Sequence, residues 1–207
     1  MRKYTYRQYG FTIVELLVVV TVIGVLASIA LIGVSGAQVQ ARNSQTATVI
    51  QAYKKALIAY LNDNGDYPIT GGSCLGMGYT DITGDGIGDC WHLNGPSREN
   101  ATLLNAIKPY MNNELPLPNT TVLPYAAYNQ VGAIINYSTT TTLDGVPHKW
   151  LLAYTMEGNK TKCPVGPVLT INGWPNFLST PPATGYTESY GTTGTGCWVA
   201  MPDPTDL

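Results

Sequence analysis

Gly10-Phe11-Thr12-Ile13-Val14-Glu15-Leu16-Leu17-Val18-Val19-Val20-Thr21-Val22-Ile23-Gly24-Val25-Leu26-Ala27 opens an apolar run that continues to Val34. From Phe11 to Val34 there are 24 residues and one charge, Glu15. At about 1.5 Å per residue a helix of that length crosses the hydrocarbon of a bilayer, so the sequence predicts a membrane-spanning helix. An unpaired carboxylate deep in hydrocarbon costs at least about 2 kcal/mol, and a partner for Glu15 is therefore expected. Ahead of the run, Met1 to Gly10 holds Arg2, Lys3 and Arg7 and no acid. A cationic flank of this kind stays on the cytoplasmic side.

A secretory signal peptide begins in the same way, but its apolar core is shorter and its small-residue cleavage site follows that core. Here the small residue, Gly10, precedes it, and cutting there leaves the whole helix on the mature chain. Basic leader, Gly10, Phe11, Thr12, Glu15 and an unbroken apolar helix together resemble the class III leader of type IV prepilins and pseudopilins. The resemblance covers residues 1 to about 62. It implies that a prepilin peptidase cuts after Gly10 and N-methylates Phe11, and that Phe11 and Glu15 serve assembly. The Glu15 carboxylate would neutralise the terminal ammonium on Phe11 of a neighbouring subunit, turning two charges costly in lipid into one pair.

Beyond Gly36 the pattern turns amphipathic. Val39, Ala47, Ile50, Tyr53, Leu57 and Tyr60 or Leu61 recur at helical spacing, with Gln38, Gln40, Arg42, Asn43, Gln45 and Thr46 on the polar side. Asn62-Asp63-Asn64-Gly65-Asp66, followed by Pro68, predicts the stop. A short helix is expected over 99–111, with Leu103, Leu104, Ile107 and Tyr110 or Met111 on one face. Strands are expected at Tyr125 to Tyr128, Gly132 to Ser138, Trp150 to Met156 and Trp198 to Ala200. Turns are expected at Leu143-Asp144-Gly145 and Glu157-Gly158-Asn159. Alternation at Ala133, Ile135, Tyr137 and at Trp150, Leu152, Tyr154 predicts antiparallel pairing with one face on the long helix. The expected fold is α+β and pilin-like: a long N-terminal helix on an antiparallel sheet with disulfide-closed loops. Its parts are a leader (1–10), a transmembrane or filament-core helix (11–36), the amphipathic half of that helix (37–62) and a globular head (63–207).

The full chain has 11 basic and 13 acidic residues. Without Arg2, Lys3 and Arg7 the balance is 8 against 13, or −5, which leaves no broad basic field for nucleic acid. All four cysteines follow the apolar run, and in an exported domain an even count reads as disulfides. Four cysteines allow three pairings. Cys74 with Cys90 and Cys163 with Cys197 are favoured, because each closes a loop of moderate length in turn-rich sequence. A zinc site competes less well: there is no C-x-x-C, and His92 and His148 lack ligand spacing. From Cys163 onward the chain resembles the C-terminal disulfide region of many pilins. Trp174, Phe177, Tyr186 and Tyr190 there read as core or loop packing before they read as an adhesive patch.

Between the first two cysteines, Asp81, Thr83, Asp85, Ile87 and Asp89 fall at calcium-loop positions, with Gly86 at the sharp turn. Calcium is thus a candidate ligand, while no cofactor is required. The match is partial, since threonine stands at the third position and His92 where a bidentate glutamate belongs. An acidic Gly-Asp turn capping the disulfide loop is the plainer alternative. No G-x-S-x-G, H-E-x-x-H or phosphate loop is present, so an enzyme is not expected.

The expected function is a structural subunit of a type IV pilus. It would be a single-pass precursor in the cytoplasmic membrane, then an extracellular filament on the cell surface. Its expected partners are other copies of itself, the prepilin peptidase, an inner-membrane assembly platform and, before assembly, the lipid. Two other classes fit the same residues: a minor pilin or secretion or competence pseudopilin, and a membrane-anchored surface binding module that never polymerises.

Overall fold

The computed structural model describes residues 10–69, 71–81, 84–91, 97–118, 123–125, 128–137, 142–143, 146–158, 163–165, 171–172, 189–190 and 194–206. At 29–35 and in several short strands it describes the backbone alone. The chain divides into two compact units, Met1–Gln40 and Ala41–Leu207, and both contribute to one helix, α1 (Ile13–Asn64). In the first unit every described side chain from Phe11 to Ser28 is exposed. Residues 1–9, most of the expected leader, lie outside the described residues.

In the second unit α1 turns one stripe inward. Ile50, Tyr53, Ala56, Leu57 and Leu61 are all 0–2% exposed, at intervals that keep them on one face. The helix stops where the Asn-Asp-Asn-Gly run predicts. Gly65, at φ 78°, donates its N–H to the Leu61 carbonyl at 2.7 Å, and glycine is the residue that takes this left-handed end without steric cost. One expectation fails on this half. Thr46, assigned to the polar side, is buried, and its hydroxyl donates to the Pro118 carbonyl at 2.8 Å. A loop distant in sequence supplies the acceptor, so periodicity alone misplaces the residue.

The strands are β1 (Ser73–Cys74), β2 (Asp89–Trp91), β3 (Ser97–Arg98), β4 (Leu123–Tyr125), β5 (Tyr128–Gln130), β6 (Ala133–Tyr137), β7 (Thr142–Leu143), β8 (Val146–Pro147), β9 (Trp150–Glu157), β10 (Ile171–Asn172), β11 (Ser189–Tyr190) and β12 (Gly194–Ala200). Among the described residues the central sheet runs β1-β6-β9-β12-β11, with smaller sheets β3-β2-β5-β4 and β10-β7-β8, all antiparallel. In register, Ile135 faces Leu152 and Cys197 faces Tyr154. The run Tyr125 to Tyr128, expected as one strand, is instead the meeting point of two: Tyr125 pairs with Tyr128 across the β4–β5 hairpin. The expected helix over 99–111 is α2 (Ala101–Ile107), capped by the Asn100 side chain and followed by a 3₁₀ turn, Lys108–Met111. Met111 takes the buried place and Tyr110 stays exposed.

The central sheet is covered on both faces, which strict alternation did not predict. Ile135, Leu152, Tyr154 and Val199 join the α1 stripe, Leu103 and Ile107 in one core. Ile134, Leu151, Ala153 and Trp198 join Cys74, Tyr79 and Cys90 in a second. The disulfide-bearing loop region supplies the second layer, a role its glycine-rich composition does not advertise. Four buried phenols then pin loops to these cores. Tyr53 donates to the carbonyl of Pro116, Tyr67 to Pro202, Tyr79 to Leu75 and Tyr154 to Val165, at 2.6–3.3 Å. Burial pushes all four phenols above their ordinary value, Tyr154 up to about 12.

Candidate functional site

The residues singled out for processing and assembly sit together at the start of α1. Gly10, Phe11 and Thr12 are non-helical, and Phe11 is 85% exposed. The Glu15 carboxylate accepts from the Thr12 N–H at 2.9 Å and from its hydroxyl at 2.8 Å, while Thr12 Oγ1 accepts from the Glu15 N–H at 3.2 Å. This is the reciprocal capping box of the pattern S/T-x-x-E. Thr12 is thus a positioning residue that the sequence reading passed over, although Thr12-x-x-Glu15 spells the signature. Within one chain the glutamate has a partner, and it is one turn from Phe11, where a terminal ammonium would be created by cleavage after Gly10.

Around that cap the helix is apolar on every side. Ile13, Val14, Leu16, Leu17, Ile23 and Leu26 are 58–85% exposed, and the polar side chains Thr21 and Ser28 turn back onto the carbonyls of Val18 and Val25. Among the described residues no helix is long and apolar enough to cross a membrane; the side chains of 29–35 are not among them.

Cys74 is joined to Cys90, and Cys163 to Cys197, the two pairs favoured on loop length. The loop behind the first disulfide is held by its own groups. Asp81 accepts the N–H groups of Gly84, Asp85 and Gly86 at 2.6–3.3 Å, and Asp85 accepts that of Ile87 at 3.1 Å. Gly84 and Gly86 lie at φ 82° and 85°, left-handed positions that such a turn requires. Glu99 accepts from Gly78 and Tyr79. Gly88 passes so close that a Cβ there would lie 2.6 Å from Glu99 Oε1 and from the Tyr79 carbonyl. Asp85 and Asp89 both reach Arg98: Asp85 through Nη1, and Asp89, which is fully buried, through Nε at 3.4 Å. Asp89 and Arg98 are direct cross-strand neighbours on β2 and β3. Thr83 lies outside the described residues. Among the described residues no group of three His, Cys, Asp or Glu side chains gathers as a metal site would. Arg98 was missed in the sequence, yet it is the only lysine or arginine between Lys55 and Lys108.

Residues 5–31 match the family model for the prokaryotic N-terminal methylation motif. Behind that motif lie a long N-terminal helix, an antiparallel sheet against its second half and two disulfides. Similar proteins include the type II secretion system core protein G of Pectobacterium carotovorum (38% identical over 65 residues, 31% of this chain and 42% of that protein). The core protein G of Escherichia coli K12 is 39% identical over 66 residues, 32% of this chain and 46% of that protein. A fimbrial protein of Neisseria meningitidis is 31% identical over 77 residues, 37% of this chain and 45% of that protein. The chain thus spans less than half the length of the curated relatives it matches. No solved structure matches.

Proposed function

We propose that this chain is a structural subunit of a type IV pilus, cut after Gly10, N-methylated on Phe11 and polymerised through α1. The observation that supports it most is the apolar surface from Phe11 to Ser28, exposed on all sides and carrying one carboxylate one turn from the cleavage position. Before assembly, lipid covers that surface and the segment spans the cytoplasmic membrane; in the filament, the same segments of other subunits replace the lipid. Glu15 then exchanges its Thr12 bonds for the terminal ammonium of a neighbour, which sets the axial register. A prepilin peptidase and an inner-membrane assembly platform are the partners this route requires. The similarity to core protein G favours a second reading, a pseudopilus of a type II secretion machine.

Mass spectrometry of the protein from its own cells tests the first step: the mature chain begins at N-methylated Phe11, and Gly10→Val leaves the leader attached. Filament protein that retains Met1 defeats the proposal. Immunogold labelling of sheared cells separates the two assemblies, since label along long surface fibres marks a pilus. Envelope-restricted label together with a secretion defect on deletion marks a pseudopilus.

A further inference from the structure

We propose that Arg98 is the resident cation of the acidic loop 81–89, so that this loop is built to order without calcium. The loop places Asp81, Asp85 and Asp89 within nine residues, and such a set repels itself unless a positive charge sits among its members. Calcium would supply that charge through converging oxygens. In this chain two of the three carboxylates are already turned to one guanidinium, Asp85 at Nη1 and Asp89 at Nε. The third, Asp81, accepts three backbone N–H groups of the turn.

The supports of Arg98 fix it in this role. It sits on β3, opposite Asp89 on β2, beside Cys90 and the disulfide to Cys74. Asp89 is fully buried whereas Arg98 and Asp85 are each about one-third exposed, so the guanidinium bridges an interior charge to a surface one. Arginine suits that place, because its planar fork reaches two carboxylates at once. A divalent ion drawn to Asp85 and Asp89 meets a fixed positive charge, and binding it means displacing the arginine from a buried partner. Arginine therefore does here what a calcium ion does in an oxygen-lined loop, and it is supplied by the fold.

The test is thermal melting of the purified full chain in excess chelator, in millimolar calcium and in millimolar magnesium, together with limited proteolysis between Cys74 and Cys90. The wild-type chain is expected to melt within about 1 °C of the same temperature in all three, with the loop protected throughout. Arg98→Gln is expected to melt about 5–10 °C lower in chelator, because the ion pairs of the guanidinium with Asp89 and Asp85 are lost. It is also expected to open the loop to protease and to recover stability and protection in calcium. Arg98→Lys, which keeps the charge, is expected to fall between the two and to ignore calcium. A wild-type chain that gains stability from calcium overturns the proposal, and this arm decides even where Arg98→Gln fails to fold. An Arg98→Gln chain as stable and protected as the wild type overturns it too. So does one that opens but ignores calcium, for then the guanidinium does not occupy a cation's place.

Discussion

Two stretches of one helix carry large apolar side chains that have opposite fates. From Phe11 to Leu26 the large side chains are 49–85% exposed; from Ile50 to Leu61 the large ones turned inward are 0% exposed. The difference lies in how much polar sequence each stretch carries and on which faces it falls. The second stretch has a stripe, with Gln51, Lys54 and Lys55 on other faces, and one side of a sheet suffices to cover it. The first is apolar all round, so no single sheet face can cover it, and under the proposed function its cover comes from lipid or from the helices of other subunits. One half of α1 is finished by folding, whereas the other is finished by its surroundings.

The sharpest way to break this comparison is to change the one charge in the first half. Glu15→Val removes a carboxylate from an apolar segment, so membrane insertion is expected to be retained or improved and the melting of the head to be unchanged. Assembly is expected to fall at least about tenfold, because a neighbour's terminal ammonium is left unpaired. Filament yield on sheared cells, measured against membrane-bound precursor, reads both effects; wild-type yield would show that the carboxylate does not set register.

The second half answers to pH instead. Tyr53, Tyr67, Tyr79 and Tyr154 have phenols raised by burial. Their neutral forms therefore contribute stability that is fully present below the ordinary tyrosine value of 10.0 and is lost as pH rises past it. Each phenol loses about 1.4 kcal/mol per pH unit above that value, Tyr154 until it titrates near 12 in the folded chain. The head is expected to unfold cooperatively above pH 10, with tyrosinate absorbance and near-ultraviolet dichroism changing together. Tyrosinate that appears on an intact fold breaks the link between these hydroxyls and the loops at Leu75, Pro116, Val165 and Pro202.

What was legible in the sequence divides along the same line. The helix, its glycine stop, β6, β9 and both disulfides could be read because each is set by local period, turn chemistry or loop length. Thr46, Arg98 and the Tyr125–Tyr128 pairing could not. The acceptor for Thr46 is 72 residues away, Arg98 gains its role only when β3 pairs with β2, and a hairpin crossing looks like a short strand when its residues suit both. The second core was hidden for a related reason: alternation reports one covered face, and a glycine-rich loop gives no sign that it will cover the other. At the start of α1 the capping box follows from Thr12-x-x-Glu15, a local signature.

Leu57→Ala sharpens the comparison from the buried side. Leu57 is 0% exposed in the core shared by α1 and the sheet, and truncating it is expected to cost about 2–5 kcal/mol. Denaturant melting of the full chain in detergent measures that loss. Processing at Gly10 and membrane insertion should proceed as in the wild type. A truncation at Leu57 that blocks processing would mean the two halves are not separately finished.

The smallest expected effect belongs to Thr12, and it isolates the first turn of α1. Thr12→Ala removes the hydroxyl that accepts the Glu15 N–H and that donates to the Glu15 carboxylate, while the backbone N–H of residue 12 can still donate to Glu15. Loss of an N-cap side chain of this kind costs about 1 kcal/mol. That free energy acts on the first turn only, since the rest of α1 keeps its own bonds. Amide hydrogen exchange in micelles is therefore expected to quicken about fivefold at residues 13–16, with residues 50–61 and the melting of the head unmoved. Thr12→Ser, which keeps the hydroxyl, should restore the slow rates. If exchange at 13–16 does not change in the alanine variant, the hydroxyl does not hold the helix start. If exchange at 50–61 quickens as well, then a cap at one end of α1 stabilises the other, and the separation drawn between its two halves is lost.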